Sequence, residues 1–161
     1  MDPTHLHLII THLPVFGCFL GMVVLTYGLW SKSNATICAA YLVFILSGIG
    51  GGIAYFTGEP AEELIEHIKG IDERNIEAHE ESAEITIIAL AVLSLVSITA
   101  LFLNSRLKKY SGDLASFILL LALTCFVLVA RTAYLGGKIR HSEIASDQRN
   151  LNAKLGRSQH F

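Results

Sequence analysis

Four long apolar runs dominate this chain and decide what it can fold into. They cover residues 13–30, 36–57, 85–103 and 114–137, and Arg131 interrupts the last of them. A helix needs about 20 residues to cross roughly 30 Å of hydrocarbon, so each run is long enough. A backbone in lipid must satisfy its own hydrogen bonds, which favours helices. The sequence therefore predicts an all-α integral membrane protein, a bundle of four transmembrane helices.

Composition supports a membrane domain and argues against several classes of function. Hydrophobic residues make up 52% of the 161 residues and charged residues only 16%, against about 25% in soluble domains. The net charge of -2 gives no basic surface for nucleic acid. No phosphate-binding loop, nucleophile–base pair or pair of carboxylates in a cleft indicates a hydrolase or transferase. The expected surroundings are a lipid bilayer.

The domain organisation follows from the positions of the runs. One transmembrane domain is expected over residues 1–143, and residues 144–161 form a polar tail without apolar periodicity, expected to be extended or disordered. The first residues lack the basic segment and cleavage site of a signal peptide, so the first run is expected to be a retained span. The expected spans are about 8–30, 36–57, 80–104 and 113–138.

The connectors between the runs differ in charge, and this difference predicts an orientation. The short loops near residues 31–35 and 104–113 carry only basic charges before Asp113, whereas the middle connector, 58–84, holds ten acids against Lys69 and Arg74. Basic loops stay in the cytoplasm. Both termini and the acidic connector are therefore expected at the outer face, although the basic residues of the tail oppose this assignment.

The middle connector also carries the pattern of a short surface helix. Gly58 can end the second helix, Pro60 suits the first turn of a new one, and Gly70 can end it. The sequence predicts an amphipathic helix on the membrane surface between helices two and three. Its apolar face would comprise Leu64, Ile65 and Ile68.

Histidines cluster at the predicted outer end of the bundle. His12, His79 and His141 each lie at the outer end of a different helix. At about 100° per residue, His79 shares a face with small and hydroxyl residues, which mark the packed side of a membrane helix. His12 shares its face with Phe16 and is also expected to point inward.

Three interpretations of these histidines remain open. A b-type haem takes two imidazoles from facing helices, here His12 and His79. A zinc or copper site takes three or four ligands, which can come from His12, His79, His141 and Glu80 or Glu84. Alternatively, the histidines are amphipathic anchors at the headgroup boundary and hold no cofactor.

A haem would involve further residues. Arg131, Lys138 and Arg140 are candidates to pair with the propionates. An ionisable group inside a span suggests a functional role, but Arg131 is close enough to the end of its run to snorkel outward instead. Gly17 and Gly51 are candidates to leave room for the flat ring, although closely spaced glycines also serve close helix contact.

Several short motifs in order resemble a known family. They are His7-x4-His12-Leu13-Pro14 at helix one, Thr57-Gly58 after helix two, His79 at the start of helix three, and Gly136-Gly137-Lys138-Ile139 near the end. Over about residues 5–143 this order resembles the four-helix bacterial membrane proteins called domain of unknown function 2231. Leu8 and Leu13 depart from the family's proline and phenylalanine. The resemblance implies a bacterial inner-membrane location and a haem-associated or respiratory role.

These observations lead to a first functional hypothesis and two alternatives. The first is an electron-transfer protein that holds haem b and passes electrons between quinol and an outer-face carrier, such as a c-type cytochrome or a larger redox complex. The acidic connector would serve as the docking surface for a basic carrier. The second is a cofactor-free subunit that anchors a respiratory or photosynthetic complex. The third is a metal-binding or transport protein.

The orientation makes a testable prediction. A cysteine introduced at Asn75 should react with a membrane-impermeant thiol reagent in intact cells, because the acidic connector faces outward. A cysteine introduced at Ser33, in a basic loop, should be protected until the cells are opened. The opposite labelling pattern would invert the topology.

Overall fold

The structure is a computed structural model that describes the backbone of residues 9–66, 73–107 and 112–158. It describes side chains over 9–58, 74–104 and 112–139, and at Gln148. Within these ranges the chain folds into long helices. They are α1 (His12–Ser31), α2 (Asn34–Glu66), α3 (Glu73–Leu107) and α4 (Gly112–Ser158).

All four helices are long and apolar enough to span a membrane, as predicted. The apolar parts are His12–Ser31, Asn34–Gly58, Arg74–Asn104 and Gly112–Ile139. Large apolar side chains stay exposed along their outer faces, with Phe16 at 65% and Leu95 at 65%. Such faces suit lipid and not water. The chain is therefore a multi-pass membrane protein built as a four-helix bundle.

Each helix packs against its neighbours in the chain, and α4 closes the bundle against α1. The tight turn between α1 and α2 is built around Lys32, which adopts a left-handed conformation with φ 53°. The N–H groups of Lys32 and Ser33 donate to the carbonyls of Leu29 and Gly28, which satisfies the end of α1. Ser33 then accepts a hydrogen bond from the N–H of Thr36 at 3.3 Å and so caps α2.

Glycines bring the helices into close contact. Gly21 of α1 faces the ring of Phe44 on α2, and a Cβ at position 21 would overlap that ring. Gly48 of α2 faces Ser94 of α3, whose hydroxyl donates to the Phe44 carbonyl at 3.3 Å. In lipid, where no hydrophobic force drives helices together, close approach maximises dispersion contacts. The glycine spacing thus serves helix packing in this bundle.

Two boundaries differ from the sequence prediction. The predicted break at Gly58 is wrong, because α2 continues through Pro60 to Glu66. Gly58 is buried and helical. Pro60 lacks a backbone N–H, so α2 loses one hydrogen bond near its end and can still continue. The separate surface helix over 60–69 is thus partly an extension of α2. Its predicted apolar face lies outside the described side chains.

The second difference concerns the tail. The expectation of an extended or disordered tail is wrong, because α4 continues as a helix to Ser158. At about 1.5 Å per residue, the part after Ile139 extends the helix by roughly 30 Å. The sequence of this segment has no apolar periodicity. Continuation from an already formed helix avoids the cost of nucleation.

The glycine contacts make a prediction with a matched control. A Cβ at Gly28 would lie 2.8 Å from Cγ1 of Ile37 and 3.1 Å from its backbone nitrogen, whereas nothing lies within 4 Å of one at Gly52. Gly28→Ala should therefore destabilise the bundle by about 1–3 kcal/mol. Gly52→Ala should be neutral or stabilise it by up to about 1 kcal/mol. Thermal unfolding in detergent measures both, and equal effects would contradict the contact analysis.

Candidate functional site

A pocket opens at the end of the bundle where α1 and α3 begin and α4 leaves the apolar region. Its volume is about 430 Å³, within the range of small-molecule sites. Side chains and backbone from all four helices line it. They are Thr11, Pro14, Val15, Gly51, Ala54, Tyr55, Phe56, Gly58, His79, Glu80, Ala83, Glu84, Thr86, Ile87, Leu90, Val129, Thr132 and Ala133.

His79 is held in one orientation on the wall of this pocket. Its Nδ1 lies 3.0 Å from the backbone carbonyl oxygen of Thr132 on α4. A carbonyl only accepts, so Nδ1 carries the proton and donates it. The ring also packs against Gly136, where a Cβ would come within 3.1 Å of Cε1. In neutral His79 this arrangement places the lone pair on Nε2, the nitrogen that can bind a metal or accept a hydrogen bond.

A cluster of three hydroxyl groups lies beside the histidine. The Oγ1 of Thr132 lies 2.7 Å from Oγ of Ser82 and 2.9 Å from Oγ1 of Thr86. Thr132 also donates to the carbonyl of Leu128, one turn earlier, at 3.1 Å. Both Ser82 and Thr86 are buried. Thr132 thus joins α3 to α4 twice, through its carbonyl to His79 and through its hydroxyl to the other two.

The pocket mouth combines acidic and aromatic residues. Glu80 and Glu84 are exposed side chains of α3 that line the opening. Tyr55 and Phe56 line it from α2, and their rings meet edge to face with centroids 5.9 Å apart. Deeper, the lining is aliphatic. The pocket thus has a mostly apolar lining with a few polar groups, the composition of sites for small organic molecules.

The two histidines proposed as haem ligands occupy different places. The prediction that His79 points into the bundle is confirmed, since it lines the pocket and contacts α4. The inward prediction for His12 is wrong. His12 is exposed and stacks on Phe16, with ring centroids 6.3 Å apart. This geometry does not favour haem ligation by the pair, because the two imidazoles do not face one another across the pocket.

The other predicted residues are dispersed. Gly51 lines the pocket, but Gly17 faces Ser47 at the α1–α2 contact, which leaves no room there for a ring. Arg131 is exposed, and the side chain of Arg140 lies outside the described set. Of the predicted cofactor residues whose side chains the structure describes, only His79 and Gly51 line the pocket together.

The predicted three-histidine metal site receives no support from the described residues. Among them, no group of three or more histidine, cysteine, aspartate or glutamate side chains is close enough to hold a metal ion. The side chain of His141, the third expected ligand, lies outside the described set. Cys18, Cys38 and Cys125 are free thiols within the spans.

Sequence reasoning missed the central role of Thr132. Thr86 was recognised on the face of His79, and Ser82 lies one turn before it, so two of the three hydroxyls had a positional signal. Thr132 is adjacent to Arg131, and the charge of Arg131 is the stronger sequence signal at this position. Inward-facing hydroxyls on both helices are the signal that could have made Thr132 a candidate, although not its contacts with Ser82 and Thr86.

Comparison with known proteins identifies no relatives, since no family model, curated protein or solved structure matches the chain. The resemblance to domain of unknown function 2231 stays a prediction.

The hydroxyl cluster makes a stability prediction. Thr132→Val should destabilise the bundle by about 1–3 kcal/mol, because it leaves the buried hydroxyls of Ser82 and Thr86 without their partner. The triple variant Ser82→Ala/Thr86→Val/Thr132→Val should recover more than half of that loss, since no orphaned hydroxyl remains. Thermal unfolding in detergent gives both values. A triple variant that is less stable than Thr132→Val would show that the three residues act independently.

Proposed function

We propose that the protein is a small membrane redox protein whose pocket around His79 binds the headgroup of a quinol. The pocket itself carries this proposal, because it combines an apolar interior with an oriented imidazole at one end of the membrane span. A lipid-soluble aromatic ring can reach such a site from the bilayer. The quinol is the electron donor, and a carrier at the outer face is the acceptor.

The polar groups of the pocket match the chemistry of a quinol. Oxidation of a quinol to a quinone releases two electrons and two protons. Nε2 of neutral His79 can accept a hydrogen bond from a quinol hydroxyl, and then its proton. Glu80 and Glu84 lie at the mouth, where carboxylates can pass protons to water. The two electrons leave one at a time to two molecules of an outer-face one-electron carrier, such as a c-type cytochrome.

The proposal includes a location. The membrane is the bacterial inner membrane. The basic loops favour its cytoplasmic side, which puts both termini, and hence the pocket, at the outer face. The protons of the quinol would be released on the outer side of the membrane. The acidic residues around the start of α3 would then attract a basic soluble carrier. The resemblance to domain of unknown function 2231 agrees with this location.

A second candidate is a b-type haem held through His79. The hydrogen bond from Nδ1 to the Thr132 carbonyl favours it, because metal-bound histidines usually donate their other ring nitrogen to such a carbonyl. A haem would supply one-electron chemistry. His79 fits as a ligand and Gly51 lies on the pocket wall, whereas His12 is exposed. The quinol site is the better-supported proposal because it needs only one oriented imidazole.

The exposed His12 and the half-buried His79 provide a direct test. Purified protein in lipid nanodiscs is titrated with duroquinol under anaerobic conditions. His79→Ala should weaken saturable binding at least tenfold, because it removes the oriented acceptor. His12→Ala should bind duroquinol as the unaltered protein does, because His12 is exposed and does not line the pocket. Absence of saturable binding, or equal affinity in all three proteins, would overturn the quinol proposal.

The same two variants test the haem candidate. A difference spectrum of the reduced and oxidised protein should show haem bands that His79→Ala abolishes and His12→Ala retains. A protein purified without bands even after haem is supplied would exclude this candidate. If quinol binding also fails, a structural or anchoring subunit becomes the better interpretation.

A further inference from the structure

We infer that the lipid-facing side of α4 binds the headgroup of an anionic phospholipid. The site is a stripe of three exposed side chains, Arg131, Tyr134 and Lys138. At about 100° per residue, the three positions fall within an arc of about 60° on the helix. The stripe is separate from the pocket around His79, and the inference does not depend on the proposed function.

The stripe continues the exposed side of α4 and not its packed side. Leu120 and Val127 lie on the same side of the helix as Arg131 and are 64% and 59% exposed. Thr132, by contrast, forms hydrogen bonds with α3. Among the residues that the structure describes, no carboxylate forms an ion pair with Arg131. A charge on a lipid-facing side therefore needs a partner from the bilayer itself.

The depth of the stripe matches the boundary between hydrocarbon and headgroups. The apolar part of α4 begins at Leu114, directly after Asp113. At about 1.5 Å per residue, Arg131 lies about 26 Å along the helix from Leu114, and Lys138 lies about 36 Å from it. The two residues thus lie on either side of the end of a hydrocarbon layer about 30 Å thick. Tyr134 lies between them, at the level where tyrosine rings are enriched and lipid phosphates begin.

The two cations are placed to meet at one phosphate. The Nζ atom of Lys138 lies 5.0 Å from the ring centroid of Tyr134, a cation–π contact. Tyr134 lies one turn closer to the membrane centre than Lys138, so the ammonium group is directed towards Arg131. Seven residues separate Arg131 from Lys138 by about 10 Å along the axis, a distance that two long side chains can bridge. The guanidinium of arginine can bind a phosphate through two parallel hydrogen bonds.

Charge determines which headgroup the stripe prefers. Arg131 and Lys138 are both cationic, and Tyr134 is neutral. A phosphatidylglycerol headgroup combines a negative phosphate with an uncharged glycerol. A phosphatidylethanolamine headgroup adds an ammonium group, which the two cations repel. The stripe should therefore retain phosphatidylglycerol in preference to phosphatidylethanolamine.

Native mass spectrometry of the purified protein, supplied with equal amounts of the two lipids, tests this inference. The unaltered protein should retain severalfold more phosphatidylglycerol than phosphatidylethanolamine. Arg131→Gln should lower the retention of phosphatidylglycerol about fivefold, the contribution expected of one basic residue near an anionic headgroup. Arg74→Gln is the matched control, because Arg74 is exposed and lies at the same end of the bundle, but on α3 and outside the stripe. Thermal unfolding confirms that each variant is folded.

A conservative variant and the oligomeric state complete the test. Arg131→Lys should retain an intermediate amount of phosphatidylglycerol, because lysine keeps the charge but loses the two parallel hydrogen bonds. Equal losses in Arg131→Gln and Arg74→Gln would reveal a nonspecific attraction and overturn the site. Equal retention of both lipids by the unaltered protein would also overturn it. So would a dimer that Arg131→Gln converts to a monomer without changing lipid retention, since the stripe would then contact a second copy of the chain.

Discussion

Water is absent from the bilayer interior, and the arrangement of this bundle depends on that constraint. A backbone or side-chain polar group inside that lacks a partner within the protein costs free energy. The hydroxyls of Thr26, Thr99 and Thr124 find a partner within their own helices, which leaves these residues free to face outward. Ser82 and Thr86 instead find their partner on α4. These hydrogen bonds therefore satisfy the polar groups of α3 and also hold α3 against α4 beside the pocket.

The fold could be predicted largely because a membrane span has a simple physical signature. Length and hydropathy alone located all four helices. The helix ends were less predictable. Gly58 and Pro60 are strong stop signals in isolation, yet α2 passes through both to Glu66. The local propensities of glycine and proline disfavour a helix by about 1–3 kcal/mol. Favourable packing and extension of an already formed helix can outweigh that free energy.

The two histidines show where sequence reasoning about the site succeeds and fails. The face of His79 contains small and hydroxyl residues, which correctly identified it as packed. On α1 the buried positions include Cys18, Gly21 and Gly28. His12 lies nine residues before Gly21, a rotation of about 180° around the helix. The small-residue criterion applied to α1 would therefore have placed His12 outside, whereas the aromatic face it shares with Phe16 is the exposed one.

The contacts of the site itself were beyond sequence reasoning, because they depend on the registry of α3 against α4. Helical phase can place His79 and Thr86 on one face, but it cannot say that Thr132 lies opposite both. That registry brings a carbonyl to Nδ1 of His79 and a hydroxyl to Ser82 and Thr86. A shift of α4 by one turn, about 5.4 Å, would break these bonds together. The orientation of the imidazole is thus coupled to the packing of two transmembrane helices.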